Sequence, residues 1–188
     1  TSVNDCVVHG LPSGYLLQEG DIVSVDCGVH YKGFHSDAAF TYPVGTVSSE
    51  VTQLLRVTKA ALSYGIDKAR VGNRTGDIGY AVQHYVQCHG YSVVRELVGH
   101  GVGRRLHEDP QVPNYGKQGY GTKLKKGMVL AIEPMINLGS YQVVRERGGQ
   151  FRTLDGKVTA HFEHTVAVLE KKTEILTTYK YIEEVLKF

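Results

Sequence analysis

The sequence has no tryptophan, two methionines, five prolines and three cysteines. Cys6, Cys27 and Cys88 are odd in number and follow no C-x-x-C spacing, which argues against a disulfide framework and favours reduced thiols. A cytoplasmic setting is expected on that ground. No apolar run is long enough to span a bilayer and no signal-peptide pattern is visible, so no membrane partner is expected. An excess of one charge is lacking too: a net charge of +2 gives no reason to expect nucleic acid as the main ligand. Linkers and low-complexity stretches are also missing. The 188 residues therefore read as a single domain, 1–188, of mixed helix and strand, large enough to bury a sizeable core.

What is present centres on Asp26 to Asp37, D-C-G-V-H-Y-K-G-F-H-S-D. Ile22-Val23-Ser24-Val25 is a β-branched strand pattern, Tyr31-Lys32-Gly33 reads as a turn, and Phe34 starts a return strand. Such a hairpin brings Asp26 and Asp37 onto neighbouring strands. Paired carboxylates repel and are costly to bury without a cation between them, although two solvated residues near a turn would explain this stretch alone. Cys27, next along the strand, should turn to the opposite face and pack in the core.

Other signals run in order. Thr1-Ser2-Val3 looks like the interior of an ordered segment, so the chain is expected to be a piece of something longer or a trimmed product. His9 follows the apolar run Cys6-Val7-Val8 and precedes Gly10 and Pro12, which puts it at a strand end or in a loop. Ser48 offers an N-cap for a helix with Val51, Leu54, Leu55, Thr58, Leu62 and Ile66 on one face. Asn73 to Asp77 starts a second helix that ends near His89-Gly90; His84 and His89 read as surface or helix-end residues. His100 sits between glycines in G-H-G-V-G, which lacks the lysine and the following helix of a phosphate loop. Val112 to Lys126 is aperiodic and reads as an ordered loop over a cleft or a simple surface loop. Met128 to Ile132 is an apolar strand that ends at Glu133. Tyr141 to Val144 and Val158 to Ala160 suggest strands around a Gly148-Gly149 turn, and His161 to Val168 reads as one strand with His161, Glu163 and Thr165 on one face. Ile182, Val185 and Leu186 suggest a short closing helix.

Asp26, Asp37, His100, Glu133 and Glu163 thus fall at strand ends or tight turns. Four carboxylates and one imidazole are too oxygen-rich for a structural zinc site. They suit divalent ions of the manganese, iron or cobalt type, and zinc stays open. Two such ions would neutralise about four negative charges.

The segments Val7 to Pro12, Asp26 to Asp37, Gly99 to Gly103, Leu106 to Pro110, Ile132 to Met135 and Phe162 to Thr165 resemble, in order and spacing, those of type I methionine aminopeptidases. The resemblance covers nearly the whole chain. It implies an α+β pita-bread fold, a curved antiparallel sheet backed by helices with two halves related by approximate two-fold symmetry. It implies that Asp37 and Glu163 bridge two divalent ions, that Asp26 chelates one, and that His100 and Glu133 complete the other. Glu133 would also shuttle protons, while His9 and His107 would position substrate and stabilise the oxyanion. The implied activity is removal of N-terminal methionine from nascent polypeptides by a monomer, with ribosome association plausible. A partner-binding module of the same fold and an X-Pro-specific peptidase are the alternatives. Three departures stand out. The family's leading segment, which contributes to the methionine pocket, is absent. Gly148-Gly149-Gln150-Phe151 occupies the stretch where many members carry a tryptophan. Gly28 stands where some have threonine.

Overall fold

Ser48 accepts a hydrogen bond from the Val51 amide and opens the longest helix of the computed structural model, which describes residues 1–186. Helix α1 spans Ser49–Lys68 and α2 spans Thr75–Cys88. The apolar spacing acts as expected: Leu54, Leu55, Thr58, Leu62 and Ile66 are buried on α1, and Ile78, Val82 and Val86 on α2. At the start of α2, Asp77 reaches back to accept the Arg74 amide at 2.7 Å, satisfying a donor that the helix leaves unpaired. The two helices pack on each other, and α1 lies across the strands Val129–Ile132, Met135–Asn137 and Thr159–His161. The closing helix α3, Lys180–Leu186, buries no residue fully. No helix among the described residues is long and apolar enough to cross a membrane.

Every strand pairing among the described residues is antiparallel. The ladders fall into short sheets because several strands break and pass from one sheet to the next. Val129–Ile132 lies in a five-stranded sheet, whereas Met135–Asn137 lies in a three-stranded one. Glu133-Pro134 forms the break, where proline removes a ladder donor. The stretch expected as one strand from His161 to Val168 is two, Thr159–His161 and His164–Val168, which pair with those same two partners. Phe162-Glu163 forms this break: the Glu163 amide leaves the ladder and bonds the Ala39 carbonyl at 2.9 Å. The first hairpin breaks likewise at Cys27-Gly28 and Asp37-Ala38, between the pair Ile22–Asp26 with Ala39–Pro43 and the pair Val29–Tyr31 with Phe34–Ser36.

Two further expectations need correction. The strand across the Gly148-Gly149 turn is Phe151–Thr153, which pairs with Val143–Arg145, while Thr159–His161 pairs elsewhere. Cys27 is exposed and does not pack in the core. Its amide bonds Ala38 and so keeps the alternation. Beyond Asp26, however, the hairpin projects from the body, Val29–Tyr31 being exposed throughout, so its far face meets no core. The region after Val112 is an ordered loop, anchored by buried Asn114 and Leu124.

The main core joins the helices to the sheets through Leu54, Leu62, Ile78, Ile132, Phe40 and Phe162. Phe40 meets Phe162 edge-on at 4.8 Å and Tyr179 at 4.9 Å, which fixes the layer directly behind Glu163.

Candidate metal centre

The strand breaks point inward at one place. Asp26 ends its strand, Asp37 occupies the opposite break, Glu133 and Glu163 occupy the other two, and His100 sits in the strand Gly99–Gly101. A residue freed from a ladder can aim its side chain across the seam between sheets, which a regular pleat does not allow. Gly99 and Gly101 permit the close packing around His100. A Cβ at either would collide with backbone oxygen, of Ala131 at the first and Asp109 at the second.

One cleft of about 130 Å³ is lined by His9, Asp26, Asp37, His100, His107, Glu133 and Glu163, together with Val8, Leu97, Val98 and Met135. All seven residues singled out in the sequence therefore meet. Ligand atoms of Asp37, His100 and Glu163 lie within 4.8 Å of one another. His100 Nε2 is 3.4 Å from Glu133 Oε1 and 3.9 Å from Asp37 Oδ2. His100 Nδ1 is 2.9 Å from the Gly101 carbonyl, which can only accept. Nδ1 thus carries a proton, and in the neutral ring Nε2 offers its lone pair to the cleft.

Electrostatics say what the cleft wants. Asp37 and Glu163 are buried, and among the described residues Asp37 Oδ1 and Glu163 Oε1 have no hydrogen-bond partner. Burial, and then the charges of Asp26 and Glu133, push Asp37 up to about 6. Burial, followed by Glu133, Asp37 and Asp26, raises Glu163 well above the usual carboxylate range. Partnerless carboxylate oxygens converging on an imidazole lone pair fit divalent cations.

His9 and His107 flank this group on its open side. His9 has φ of 58°, a conformation uncommon for residues other than glycine, and its ring stands edge-on to Phe151 at 6.2 Å. Phe151, from the tryptophan-less stretch, thus supplies an aromatic edge beside the cleft. The His107 ring contacts His100 at 4.2 Å; burial and then His100 lower its pKa, so it is neutral at neutral pH. Gly28 makes room here: a Cβ would lie 3.2 Å from Leu106 Cδ1 and 3.7 Å from Asp37 Oδ1.

Three supporting residues had no assigned role in the sequence reading. Thr165 Oγ1 accepts the Asp37 amide at 2.8 Å and donates to the Asp37 carbonyl at 2.7 Å, clamping that residue's backbone. Its place on the Glu163 face was the available signal. The Tyr179 hydroxyl accepts the Glu163 amide and bonds the Ala39 carbonyl, joining two strand breaks; nothing local in sequence marks it. His161, fully buried, has Nε2 3.7 Å from Glu133 Oε2. Thr165→Val should leave the Asp37 amide and carbonyl unpaired, costing about 1–3 kcal/mol. Calorimetric titration with manganese should show weaker binding than wild type. Equal affinity would mean that the clamp does not hold Asp37.

The sequence profile of metallopeptidase family M24 matches residues 1–170. A methionine aminopeptidase of Clostridium perfringens is 55% identical over 180 residues, covering 95% of this chain and 72% of that protein. The crystal structure of a methionine aminopeptidase from Thermotoga maritima superposes with a TM-score of 0.92 at 50% identity, over 94% of this chain and 72% of that one. A prolidase from Pyrococcus horikoshii superposes at 0.76 and 23% identity, over 94% of this chain and 46% of that one, a likeness that shows the fold alone. The architecture is the expected pita-bread fold. A profile match over most of the chain, joined to a close relative aligned along almost all of it, makes this protein a member of metallopeptidase family M24.

Proposed function

We propose that the chain is a metal-dependent aminopeptidase that hydrolyses methionine from the N-terminus of peptides, nascent polypeptides among them. The observation that carries this is the single cleft where carboxylates, imidazoles and apolar side chains converge. Val8, Leu97, Val98 and Met135 offer an apolar wall suited to a thioether side chain. Asp26, Asp37, His100, Glu133 and Glu163 are the residues that would hold two divalent ions of the manganese, iron, cobalt or zinc type. When bound, such ions polarise a carbonyl and make water nucleophilic at neutral pH.

The chain's own groups do the remaining work. Glu133 reaches the cleft beside His100, which suits it to receive a proton from water and deliver it to the leaving amine. His107, neutral and exposed at the cleft, can donate an N–H to the oxyanion as the carbonyl becomes tetrahedral, and His9, also exposed there, can do the same. His107→Ala should lower kcat by about 10²–10³-fold with a smaller change in KM, the usual cost of one oxyanion donor. Steady-state kinetics on Met-Ala-Ser would check this; an unchanged kcat would remove His107 from the mechanism.

We further infer that residues 1–188 act as one catalytic domain, as a monomer in the cytoplasm, with access to chains at the ribosome. An X-Pro peptidase would use the same ligand types. The similarity to a methionine aminopeptidase at 55% identity, against 23% to a prolidase, favours methionine. A partner-binding module without catalysis is disfavoured by the complete ligand set. Assaying Met-Ala-Ser beside an X-Pro peptide tests the choice. Release of methionine supports it, and cleavage confined to the X-Pro peptide overturns it.

A further inference from the structure

Two histidines near the cleft have no part in the reading above. His30 and His35 stand directly opposite each other on the antiparallel pair Val29–Tyr31 and Phe34–Ser36. Their rings stack with centroids 4.5 Å apart and planes 30° apart. His30 is exposed and His35 half-buried. The pair lies just beyond the break that carries Gly28 and Asp37, two residues from each along the chain.

The hairpin holds this pair firmly. Lys32 and Gly33 both have positive φ, 49° and 83°, the backbone of a tight two-residue turn that fixes register. The His35 amide donates to the Gly103 carbonyl at 2.7 Å, Arg104 lies over the Phe34 ring at 5.0 Å, and Leu106 fills the space above Gly28. The loop leading to His107 is thereby tied to the hairpin.

Imidazoles on facing strands are suited to grip one ion. Zinc–nitrogen bonds of about 2.0–2.1 Å require the two nitrogens to approach to roughly 3.3 Å. In the stack the nitrogen lone pairs lie in nearly parallel planes, so the rings must turn about their side-chain bonds to converge on one ion, and exposed His30 is free to make most of that turn. We propose that His30 and His35 form a second metal site, for a dication that prefers nitrogen ligands, such as zinc. Its chemistry differs from that of the cleft. Two neutral nitrogens with solvent completing the shell discriminate against manganese and magnesium, whereas the carboxylate-rich cleft accepts manganese. Through Gly103, Arg104 and Leu106, an ion there stiffens the loop that carries His107.

The test is calorimetric titration of tag-free, metal-free protein with zinc and separately with manganese. Wild type should bind one more equivalent of zinc than His30→Gln or His35→Gln, while all three bind the same number of manganese equivalents. In nuclear magnetic resonance spectra, the ring nitrogens of His30 and His35 should shift together as that extra equivalent is added. His30→Gln should keep the wild-type circular dichroism spectrum and, with manganese supplied, its turnover of Met-Ala-Ser. Equal zinc stoichiometry in wild type and His30→Gln overturns the proposal. So does a fall in manganese equivalents in His30→Gln, which would assign the lost ion to the cleft. Neither result bears on the aminopeptidase reading, which the peptide assay tests separately.

Discussion

Asp37→Asn should abolish most turnover of Met-Ala-Ser, by about three orders of magnitude, while the hairpin stays folded. The figure follows from loss of several kcal/mol of metal-derived transition-state stabilisation. Asn keeps the shape of Asp37, and its backbone keeps the Thr165 clamp, which requires only the main-chain amide and carbonyl. What is lost is one negative oxygen aimed at the space shared by His100 and Glu163. Elemental analysis should therefore find less than the wild-type metal content after dialysis. The measurements are kcat and metal equivalents on the same preparation, with circular dichroism to establish folding. Undiminished activity would falsify the assignment of Asp37 as a residue that would hold the metal.

That residue also illustrates how far the sequence was legible. The candidate ligands could be found because each lies beside a strong local signal: a β-branched strand before Asp26, a Lys-Gly turn before Asp37, glycines around His100, apolar runs before Glu133. The helices were legible for a similar reason, since a one-sided apolar stripe of several turns has few other solutions. The breaks in the strands were not. Alternation alone extends Thr159–His161 straight into His164–Val168. Only the long-range capture of the Glu163 amide by Ala39 and Tyr179 shows why the ladder stops there. Cys27 was misplaced for a related reason. Period-two patterning tells which face a residue takes and is silent on whether that face has anything to pack against. Thr165 and Tyr179 act on backbone groups more than a hundred residues away, at Asp37 and Ala39 respectively. Contacts of that kind leave no mark in a local window.

The second large effect is on stability, and its sign follows from the raised carboxylates. Asp37 binds a proton more tightly folded, at about 6, than its ordinary 3.8. The stability it contributes is fully present below the unfolded value and is lost as pH rises through about 6. The difference corresponds to on the order of 3 kcal/mol favouring the protonated form. Glu163, raised in the same direction by burial, adds to the trend. His164 opposes it: burial lowers its pKa to about 4, so its contribution is lost as pH falls through the interval where the unfolded imidazole takes up a proton. The overall pH profile of the metal-free protein therefore mixes both signs, and comparison with Asp37→Asn isolates one. In chelator, Asp37→Asn and wild type should melt together near pH 4, and the variant should melt several degrees higher by pH 7.5. Manganese should close that gap, because cations stabilise the ionised oxygens that protons occupy at low pH. Its stabilising increment in wild type should accordingly be larger at pH 7.5 than at pH 5, and smaller in Asp37→Asn at both. Differential scanning calorimetry of the two proteins, with and without manganese, reads all of these quantities. A melting gap that stays flat from pH 4 to 7.5 would mean that the Asp37 carboxylate is not under the strain its burial implies.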